Sequence, residues 1–193
     1  YGVEYDPSWR NDAAEKGLIS YAASSVGKVE NDDRVDWSES YRLIDAKVAY
    51  VWHADRHAKE VQQSLEDANY VIVCQIIWAK PVFAISRGDY HWQHEPCWYC
   101  VKKGNTHNWQ GSRSETTLWK IERGIPEKSG HGTEKPLECM AKPIRNNTVI
   151  GDVVADPFLG SGTTLVACQN LGRRGHGVEI SQNYCAVILQ RMQ

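Results

Sequence analysis

The sequence predicts an α/β protein in which helices cover both faces of a mainly parallel β-sheet, with one antiparallel strand near an edge. Three observations lead to this fold class. Short apolar segments alternate with helical segments, the pattern of a parallel sheet. The segment 70–78 is too apolar to alternate, which predicts a strand covered on both faces. A glycine-rich turn near residue 160 joins an apolar strand to a helix.

The sequence of the first half of the chain predicts three helices and three strands. Serine and aspartate side chains favour helix starts, and apolar runs favour strands. Residues 1–36 are irregular and acidic, with one short helix. The predicted elements, in order, are a helix near 10–22, a helix capped by Ser38 and ending near Ala46, a strand over 48–52, a helix capped by Asp55 and ending near Asn69, a strand over 70–78, a turn at 87–89 and a strand over 94–102.

Residues 104–130 are polar and rich in Ser, Thr, Asn and Gly, which predicts a long loop or a small insertion. Loops of this length in a compact domain are usually functional or disordered. The alternation of helices and strands then resumes. The predicted elements are a helix over 134–144, a buried strand over 152–155, a helix over 163–171, a strand over 176–179 and a helix over 181–191.

Size and charge limit the classes of function. A chain of 193 residues with 41% hydrophobic residues can form one domain with a sizeable core. Its net charge of −2 gives no general attraction to nucleic acid, so any DNA contact requires a local basic patch. Its apolar runs are too short to span a membrane, and its first residues do not resemble a signal peptide, so a cytoplasmic protein is expected.

The six cysteines are expected to be reduced, because most of them lie in apolar runs where a small buried side chain is the simplest interpretation.

The strongest chemical signal is the segment 153–164, where a strand ends at Asp156 and a turn containing Gly160 and Gly162 leads into a helix. Glycine allows the backbone to turn tightly and to approach a ligand, which would lie beyond the carboxyl end of the strand. A dinucleotide site would have a third glycine, but position 165 is Leu, and Asp156 would repel a phosphate. A cationic, phosphate-free cofactor such as S-adenosylmethionine fits this acid better.

A second acid supports this interpretation. Glu179 ends the next predicted strand, roughly 20 residues after Asp156, which is the spacing of an acid that holds ribose hydroxyl groups. A Gly-x-Gly pattern alone would be weak evidence. The combination of acid, glycine turn, helix and second acid is specific.

Two motifs carry a resemblance to a known family. Asp156-Pro157-Phe158-Leu159-Gly160-Ser161-Gly162-Thr163-Thr164 resembles the cofactor motif of the bacterial and phage DNA amino-methyltransferases. The segment His131-Gly132-Thr133-Glu134-Lys135-Pro136 resembles that family's other cofactor segment, which lies beside the methionine part of the ligand. The motif order resembles the beta group. The resemblance extends over residues 1–193.

The resemblance implies a single catalytic domain with a three-layer Rossmann-like S-adenosylmethionine-dependent methyltransferase fold, in which 104–130 is a short target-recognition insertion. For Lys135-Pro136 the alternative interpretation is a helix start. The residues implied to hold the cofactor are Asp156, Pro157, Phe158, Gly160, Ser161, Gly162, Thr163, Glu179, His131, Thr133, Lys135 and Pro136.

The family's catalytic motif is Asp/Asn/Ser-Pro-Pro-Tyr, and Tyr1-Gly2-Val3 resembles its end. The resemblance implies that Tyr1 stacks on a target base extruded from the duplex. Because the rest of that motif is absent from the sequence, the catalytic domain is expected to be N-terminally incomplete. The alternative is that Tyr1 is an ordinary chain terminus.

The segment 90–99 resembles the family's strand beside the target base, since it combines stacking rings with hydrogen-bonding groups. Basic residues on both sides of it are candidates for phosphate contacts, although a solvated lysine-rich loop explains any single one equally well. The implied target-base and DNA residues are Trp78, Lys80, His91, His94, Glu95, Trp98, Lys102, Lys103, Arg113, Lys120 and Arg123.

Two rival interpretations concern the same strand. His91, His94, Cys97 and Cys100 have types suited to zinc, but a spacing of three on a strand sends successive side chains to opposite faces, so no metal site is expected. Cys97 after a proline resembles the nucleophile of cytosine ring-carbon methyltransferases. A reactive thiolate requires an exposed, electropositive site, which an apolar strand does not provide.

The implied function is transfer of a methyl group from S-adenosylmethionine to N6 of adenine in double-stranded DNA, with an extruded target base. Adenine is favoured because a tyrosine-ended motif with an aromatic strand is more typical of adenine enzymes. The expected setting is restriction–modification in a bacterial or phage-infected cell, away from membranes, with a homodimer as one candidate assembly. The alternatives are a cytosine-N4 enzyme, a module that binds cofactor without catalysis, and an RNA or small-molecule methyltransferase on the same fold.

Overall fold

The computed structural model describes residues 8–17, 31, 33–84, 88–122 and 135–193. The helices in this part of the chain are α1 (Ser8–Glu15), α2 (Ser38–Leu43), α3 (Ala58–Asp67), α4 (Leu137–Asn147), α5 (Thr163–Leu171) and α6 (Gln182–Arg191), and a 3-10 turn (Asp55–His57) precedes α3. The strands are β1 (Val48–Trp52), β2 (Tyr70–Ala84), β3 (Trp92–Lys102), β4 (Leu118–Lys120), β5 (Val153–Asp156) and β6 (Arg174–Gly177).

Four strands form a sheet in the order β1-β3-β2-β4. Strand β3 is antiparallel to both of its neighbours, and β4 is parallel to β2. Three of the four strands therefore point the same way, as the sequence predicts. The antiparallel strand β3 is second in the order, directly beside the edge strand β1, which agrees with its expected position near an edge. A short connection brings β3 directly back along β2, and such a connection favours antiparallel pairing.

The faces of β2 also differ from the prediction. Tyr70, Ile76 and Trp78 are buried, but Val71 and Val73 are 51% and 43% exposed, so the strand is not covered on both faces along its length. Helix α3 packs against one face of this strand, while in the described part of the chain β4 pairs only with residues 77–79. An apolar run alone does not show how much of a strand is covered.

Strands β5 and β6 form a second, parallel sheet. The prediction of a buried strand here was wrong for Val153, which is 53% exposed. Helix α5 lies very close to β6: a Cβ atom on Gly175 would come within 2.6 Å of Leu165 Cδ2 and 3.3 Å of Cys168 Cβ. A glycine in this strand therefore allows the helix to pack directly on the backbone, below the turn that joins β5 to α5.

Two clusters of buried residues form the core on opposite faces of the four-stranded sheet. One contains Leu65, Tyr70 and Cys100 beneath α2 and α3, and the other contains Cys97 and Trp119. All six cysteines are free thiols. Burial raises the pKa of Cys100 to about 12, so this side chain behaves as a small hydrophobic residue.

The polar segment after β3 is held in place by α4. Asn147, at the end of that helix, accepts a hydrogen bond from the Tyr50 hydroxyl at 2.6 Å and donates one to the His107 carbonyl at 2.6 Å. The segment also contributes β4, which the sequence did not predict. Its interpretation as a target-recognition insertion stays a prediction, and residues 123–130 lie outside the described residues.

Helix starts are close to the predicted positions, but Ser38 does not cap α2. The Ser38 backbone N–H instead donates to Asp36 Oδ1 at 2.9 Å. Asp55 lies in the 3-10 turn ahead of α3. Within the described residues, no helix combines the length and the apolar character that crossing a bilayer requires.

Candidate functional site

The turn between β5 and α5 is built by two glycines with left-handed backbone. Gly160 has φ +52° and Gly162 has φ +83°. A Cβ atom on Gly162 would lie 2.8 Å from Ile188 Cγ1 on α6, whereas one on Gly160 would meet open space. Gly162 is therefore required both by its conformation and by the packing of α6. The space over Gly160 is available to a ligand.

Asp156 ends β5 with both carboxylate oxygens hydrogen-bonded. Its Oδ1 accepts a hydrogen bond from the Phe158 backbone N–H at 2.9 Å, and its Oδ2 accepts one from the Thr164 hydroxyl at 2.6 Å. These local bonds fix the direction of the carboxylate. Because a carboxylate has about four acceptor positions, the remaining ones can accept hydrogen bonds from a ligand.

Glu179 binds the same turn from a position two residues after β6, since this strand ends at Gly177 and not at Glu179 as the sequence predicts. Its Oε2 accepts a hydrogen bond from the Gly160 backbone N–H at 2.7 Å, and its Oε1 accepts one from the Ser181 N–H at 2.8 Å. The two strands are parallel neighbours, and Asp156 is paired in register with Gly177. The structure thus brings the two acids predicted from sequence to one turn, where both keep acceptor positions for a ligand.

Ser161 and Thr163 connect the turn to helix α6 through hydrogen bonds. Both are buried, and Arg191 Nη1 at the end of α6 donates to the Ser161 carbonyl at 3.0 Å, to its hydroxyl at 3.1 Å and to the Thr163 hydroxyl at 3.5 Å. The Phe158 ring packs edge-on against Trp37 with ring centroids 4.7 Å apart. The half-buried Pro157 lies between Asp156 and Phe158.

Lys135 lies with a different group of residues. Its Nζ is 2.6 Å from Glu95 Oε2, and the other oxygen of Glu95 is 2.6 Å from Lys80 Nζ. We call these three residues the lysine–glutamate triad. Pro136 directly precedes α4, as the helix-start interpretation expects. The predicted residues Tyr1, Arg123, His131 and Thr133 lie outside the described residues.

Two tryptophan rings lie beneath the lysines of the triad. Lys80 Nζ is 5.6 Å from the centroid of Trp78, and Lys135 Nζ is 5.4 Å from that of Trp52. Burial raises the pKa of Glu95, but the two ammonium groups outweigh it and lower the pKa to about 2. The carboxylate therefore stays ionised at neutral pH, and the triad carries one net positive charge.

The predicted target-base residues divide between the two faces of the sheet. Trp78 lies on the same face as Glu95 and is 1% exposed, with its Nε1 donating to the Ile121 carbonyl at 2.9 Å. Trp98 lies on the opposite face, where its Nε1 donates to the Ala58 carbonyl at 3.2 Å. Side chains alternate along a strand, so the segment 90–99 does not form one continuous pocket.

Three histidines lie near the start of β3 or beside Trp98. His94 Nε2 lies 3.3 Å from Asp55 Oδ1, and the His91 ring stacks on Phe83 with centroids 4.9 Å apart. His53, which the sequence gave no reason to select, is buried and stacks on Trp98 at 5.2 Å. Burial lowers the pKa of His53, so its imidazole is neutral at neutral pH.

The predicted phosphate contacts fall into two groups. Lys102 pairs with Asp45 at 2.7 Å at the far end of β3, next to Lys103. Since a strand rises about 3.3 Å per residue, Lys102 is roughly 26 Å from His94. Lys120 lies at the opposite end of the sheet, where it is in register with Ala79, the residue before Lys80. Arg113 is exposed in the loop between β3 and β4.

The rival interpretations of β3 have little structural support. Cys97 and Cys100 belong to core clusters on opposite faces of the sheet. In the described ranges, no group of three His, Cys, Asp or Glu residues is arranged to bind a metal. Cys97 is fully buried, and burial raises the pKa of its thiol far above the ordinary value. A thiol of this kind is not an activated nucleophile.

Comparisons with known proteins identify the family of the chain. The family described as DNA methylase matches residues 34–190. The chain is 30% identical over 178 residues to the type II methyltransferase M.HinfI of Haemophilus influenzae, covering 81% of this chain and 50% of that protein. It is 26% identical over 181 residues to the putative methylase YubD of Escherichia coli strain K12, covering 91% and 77%.

The solved structure of M1.HpyAVI in complex with SAM matches with a TM-score of 0.70 and 27% identity over 82% of each chain. This likeness confirms the predicted fold class. The chain spans about half the length of M.HinfI. With a family match that covers most of its length, the chain belongs to the DNA methylase family.

Proposed function

We propose that this protein transfers a methyl group from S-adenosylmethionine to the exocyclic amino group of a base in double-stranded DNA, with N6 of adenine as the target. One observation carries the proposal. Asp156 and Glu179 bind the two sides of one glycine turn, and each carboxylate oxygen accepts one hydrogen bond from the described residues, which leaves acceptor positions for a ligand. A Cβ atom on Gly160 would meet open space. Membership of the DNA methylase family supports the substrate class.

The residues at the turn fit this cofactor. S-adenosylmethionine, when bound, supplies a methyl group activated by a sulfonium. Its ribose hydroxyls and its ammonium group are donors, which match carboxylate acceptors, and it has no phosphate for the two acids to repel. We assign Glu179 to the ribose hydroxyls and Asp156 to the cationic part, with Thr164 holding Asp156 in its orientation.

The chain's own contribution to catalysis is positioning. Two reactants held in line react far faster than free ones, and this direct transfer requires no covalent bond to the enzyme. The target amine is inaccessible inside a duplex, so the base is extruded toward the edge formed by the end of β2 and the start of β3. The polar side chains of Lys80, His94 and Glu95 lie at that edge.

The choice of adenine rests on the resemblance of Tyr1 and of the strand 90–99 to adenine enzymes. Cytosine N4 is the alternative target, because its exocyclic amine presents the same chemistry. By analogy with the type II methyltransferases it matches, we assign the protein to restriction–modification in the cytoplasm of a bacterial or phage-infected cell. Its partner is duplex DNA, and a homodimer is the assembly to test first.

The test is methyl incorporation from labelled S-adenosylmethionine into duplex DNA by the full-length protein that contains this chain. Incorporation is expected, with N6-methyladenine identified by mass spectrometry of the nucleosides, and it should be lost in Asp156→Asn. N4-methylcytosine would replace the adenine assignment. Incorporation into RNA in preference to DNA, or none into varied duplexes by folded protein, would contradict the proposed function.

A further inference from the structure

We propose that the lysine–glutamate triad of Lys80, Glu95 and Lys135 binds one phosphodiester group of the DNA backbone. This inference rests on the proposed function and adds a substrate-binding site to it. The three side chains come from separate parts of the chain: the second half of β2, the start of β3, and the residue two positions before α4. The fold assembles them at one place.

The three side chains of the triad are held in place by contacts with one another and with two aromatic rings. Each oxygen of Glu95 contacts a different lysine at 2.6 Å, and each ammonium group lies over a tryptophan ring. Trp78 is itself fixed by its hydrogen bond to the Ile121 carbonyl. Two cations facing one carboxylate are thus held by a rigid aromatic base, which reduces the loss of side-chain freedom on binding a ligand.

The triad contains two positive charges and one negative charge, so one positive charge is not balanced within it. Among the described residues, Glu95 is the one carboxylate within ion-pair distance of either lysine. The side chains of Lys80 and Lys135 are only 11% and 26% exposed, and cations removed from water to this degree are normally paired. Each ammonium has three N–H donors and gives one to Glu95, so donors remain for an external anion.

A phosphodiester is the anion that fits this position best. It carries a single negative charge, which would neutralise the triad, and its two unesterified oxygens can accept hydrogen bonds from both ammonium groups. Among the described residues both lysines pair with Glu95, and neither pairs with Asp156 or Glu179 at the glycine turn. We therefore assign the triad to DNA.

The test is the salt dependence of DNA binding. A labelled duplex of random sequence is suitable, because phosphate contacts do not depend on sequence. Lys80→Gln and Lys135→Gln should each weaken binding about fivefold and reduce the slope of log K against log salt by about one, the effect of one lost phosphate contact. Lys80→Arg should keep the slope of the unmodified protein. Unchanged slopes in both glutamine variants would overturn the proposal.

The Glu95→Gln variant should change DNA binding in the opposite direction from the lysine variants. It raises the net charge of the triad from one to two, so DNA binding should be as tight or tighter, with an equal or steeper salt slope. If the triad only supported the fold, this variant would weaken binding as the lysine variants do, and that result would count against a phosphate site. Thermal melting establishes that each variant is folded. If the Glu95→Gln variant is not folded, the salt slopes of the two lysine variants decide whether the triad binds phosphate.

Two controls separate the possible failures. Lys47→Gln removes the same charge directly before β1, at the opposite end of the sheet, and should leave the slope unchanged. Calorimetry with S-adenosylhomocysteine should give wild-type affinity for Lys80→Gln and Lys135→Gln. A loss there with an unchanged DNA slope would assign the triad to the cofactor and overturn the inference. A wild-type protein that does not bind duplex DNA would refute the proposed function as well.

Discussion

Asp156 is oriented by a residue that carries no charge. The Thr164 hydroxyl donates to Asp156 Oδ2 at 2.6 Å from a side chain that is 7% exposed. The sequence shows two threonines in succession, at 163 and 164, and gives no reason to separate their roles. In the structure they face different partners, because Thr163 contacts Arg191. Helical positions one residue apart do not face the same side.

We expect Thr164→Val to weaken cofactor binding about tenfold, because Asp156 loses a hydrogen bond that fixes its direction. Thr164→Ser keeps the hydroxyl and should retain most of the affinity. Calorimetric titration with S-adenosylhomocysteine measures both variants. Equal affinities for the valine variant and the unmodified protein would show that the hydroxyl has no part in binding.

The lowered pKa of Glu95 predicts that the unfolding free energy of the protein decreases in acid. Its pKa is lowered from 4.5 to about 2, so the folded state binds fewer protons than the unfolded state between these values. The stabilisation is complete above the unfolded pKa and is lost as the pH falls toward 2. A shift of this size corresponds to roughly 3 kcal/mol of unfolding free energy at neutral pH.

Glu95→Gln should remove this component. The difference in unfolding free energy between the unmodified protein and the variant should be constant near neutral pH and should shrink as the pH falls from about 4.5 to about 2. Urea denaturation at a series of pH values measures it. A difference that does not change over this interval would mean that the lysines do not stabilise the ionised carboxylate.

At the level of secondary-structure elements, helix α6 packs closely against the glycine turn. Gly162 has φ +83°, and Ile188 of α6 leaves no room for a Cβ atom there. Arg191 of the same helix binds the Ser161 carbonyl. Helix α6 therefore supports the turn from behind, by a close contact and by a hydrogen bond, and leaves the space over Gly160 open.

Gly162→Ala should destabilise the protein more than Gly104→Ala. Both glycines have φ +83°, so the conformational cost of alanine is shared, but a Cβ atom on Gly104 has nothing within 4 Å. The additional loss in the Gly162 variant should be about 1–3 kcal/mol, the usual cost of overpacking. Urea denaturation compares the two. Equal losses would mean that α6 moves away without cost.

For the molecule as a whole, local patterns in the sequence predicted the elements well. The helix 163–171 was predicted with its observed bounds, and the acids at 156 and 179 were assigned to one ligand before their contacts were known. Helix starts and glycine turns depend mainly on neighbouring residues, so a sequence indicates them well, although the caps expected at Ser38 and Asp55 are not formed.

Long-range arrangement was not predictable in the same way. The position of β3 between β1 and β2 and the pairing of β4 with β2 depend on contacts between segments far apart in sequence. The pairing of Lys135 with Glu95 is another such contact, since the two residues are 40 positions apart. The resemblance of the segment 131–136 to a cofactor motif assigned Lys135 to the cofactor, and only the fold shows its partner.

We propose that Asp156 and Glu179 together hold a cationic, phosphate-free nucleoside. The decisive experiment is calorimetric titration of S-adenosylmethionine into the unmodified protein and the Asp156→Asn/Glu179→Gln double variant, with Glu60→Gln on α3 as a control that removes a charge elsewhere. We expect unmodified and control proteins to bind alike and the double variant to lose at least a hundredfold in affinity, from two hydrogen-bonding acids. Undiminished binding by a folded double variant would contradict the account.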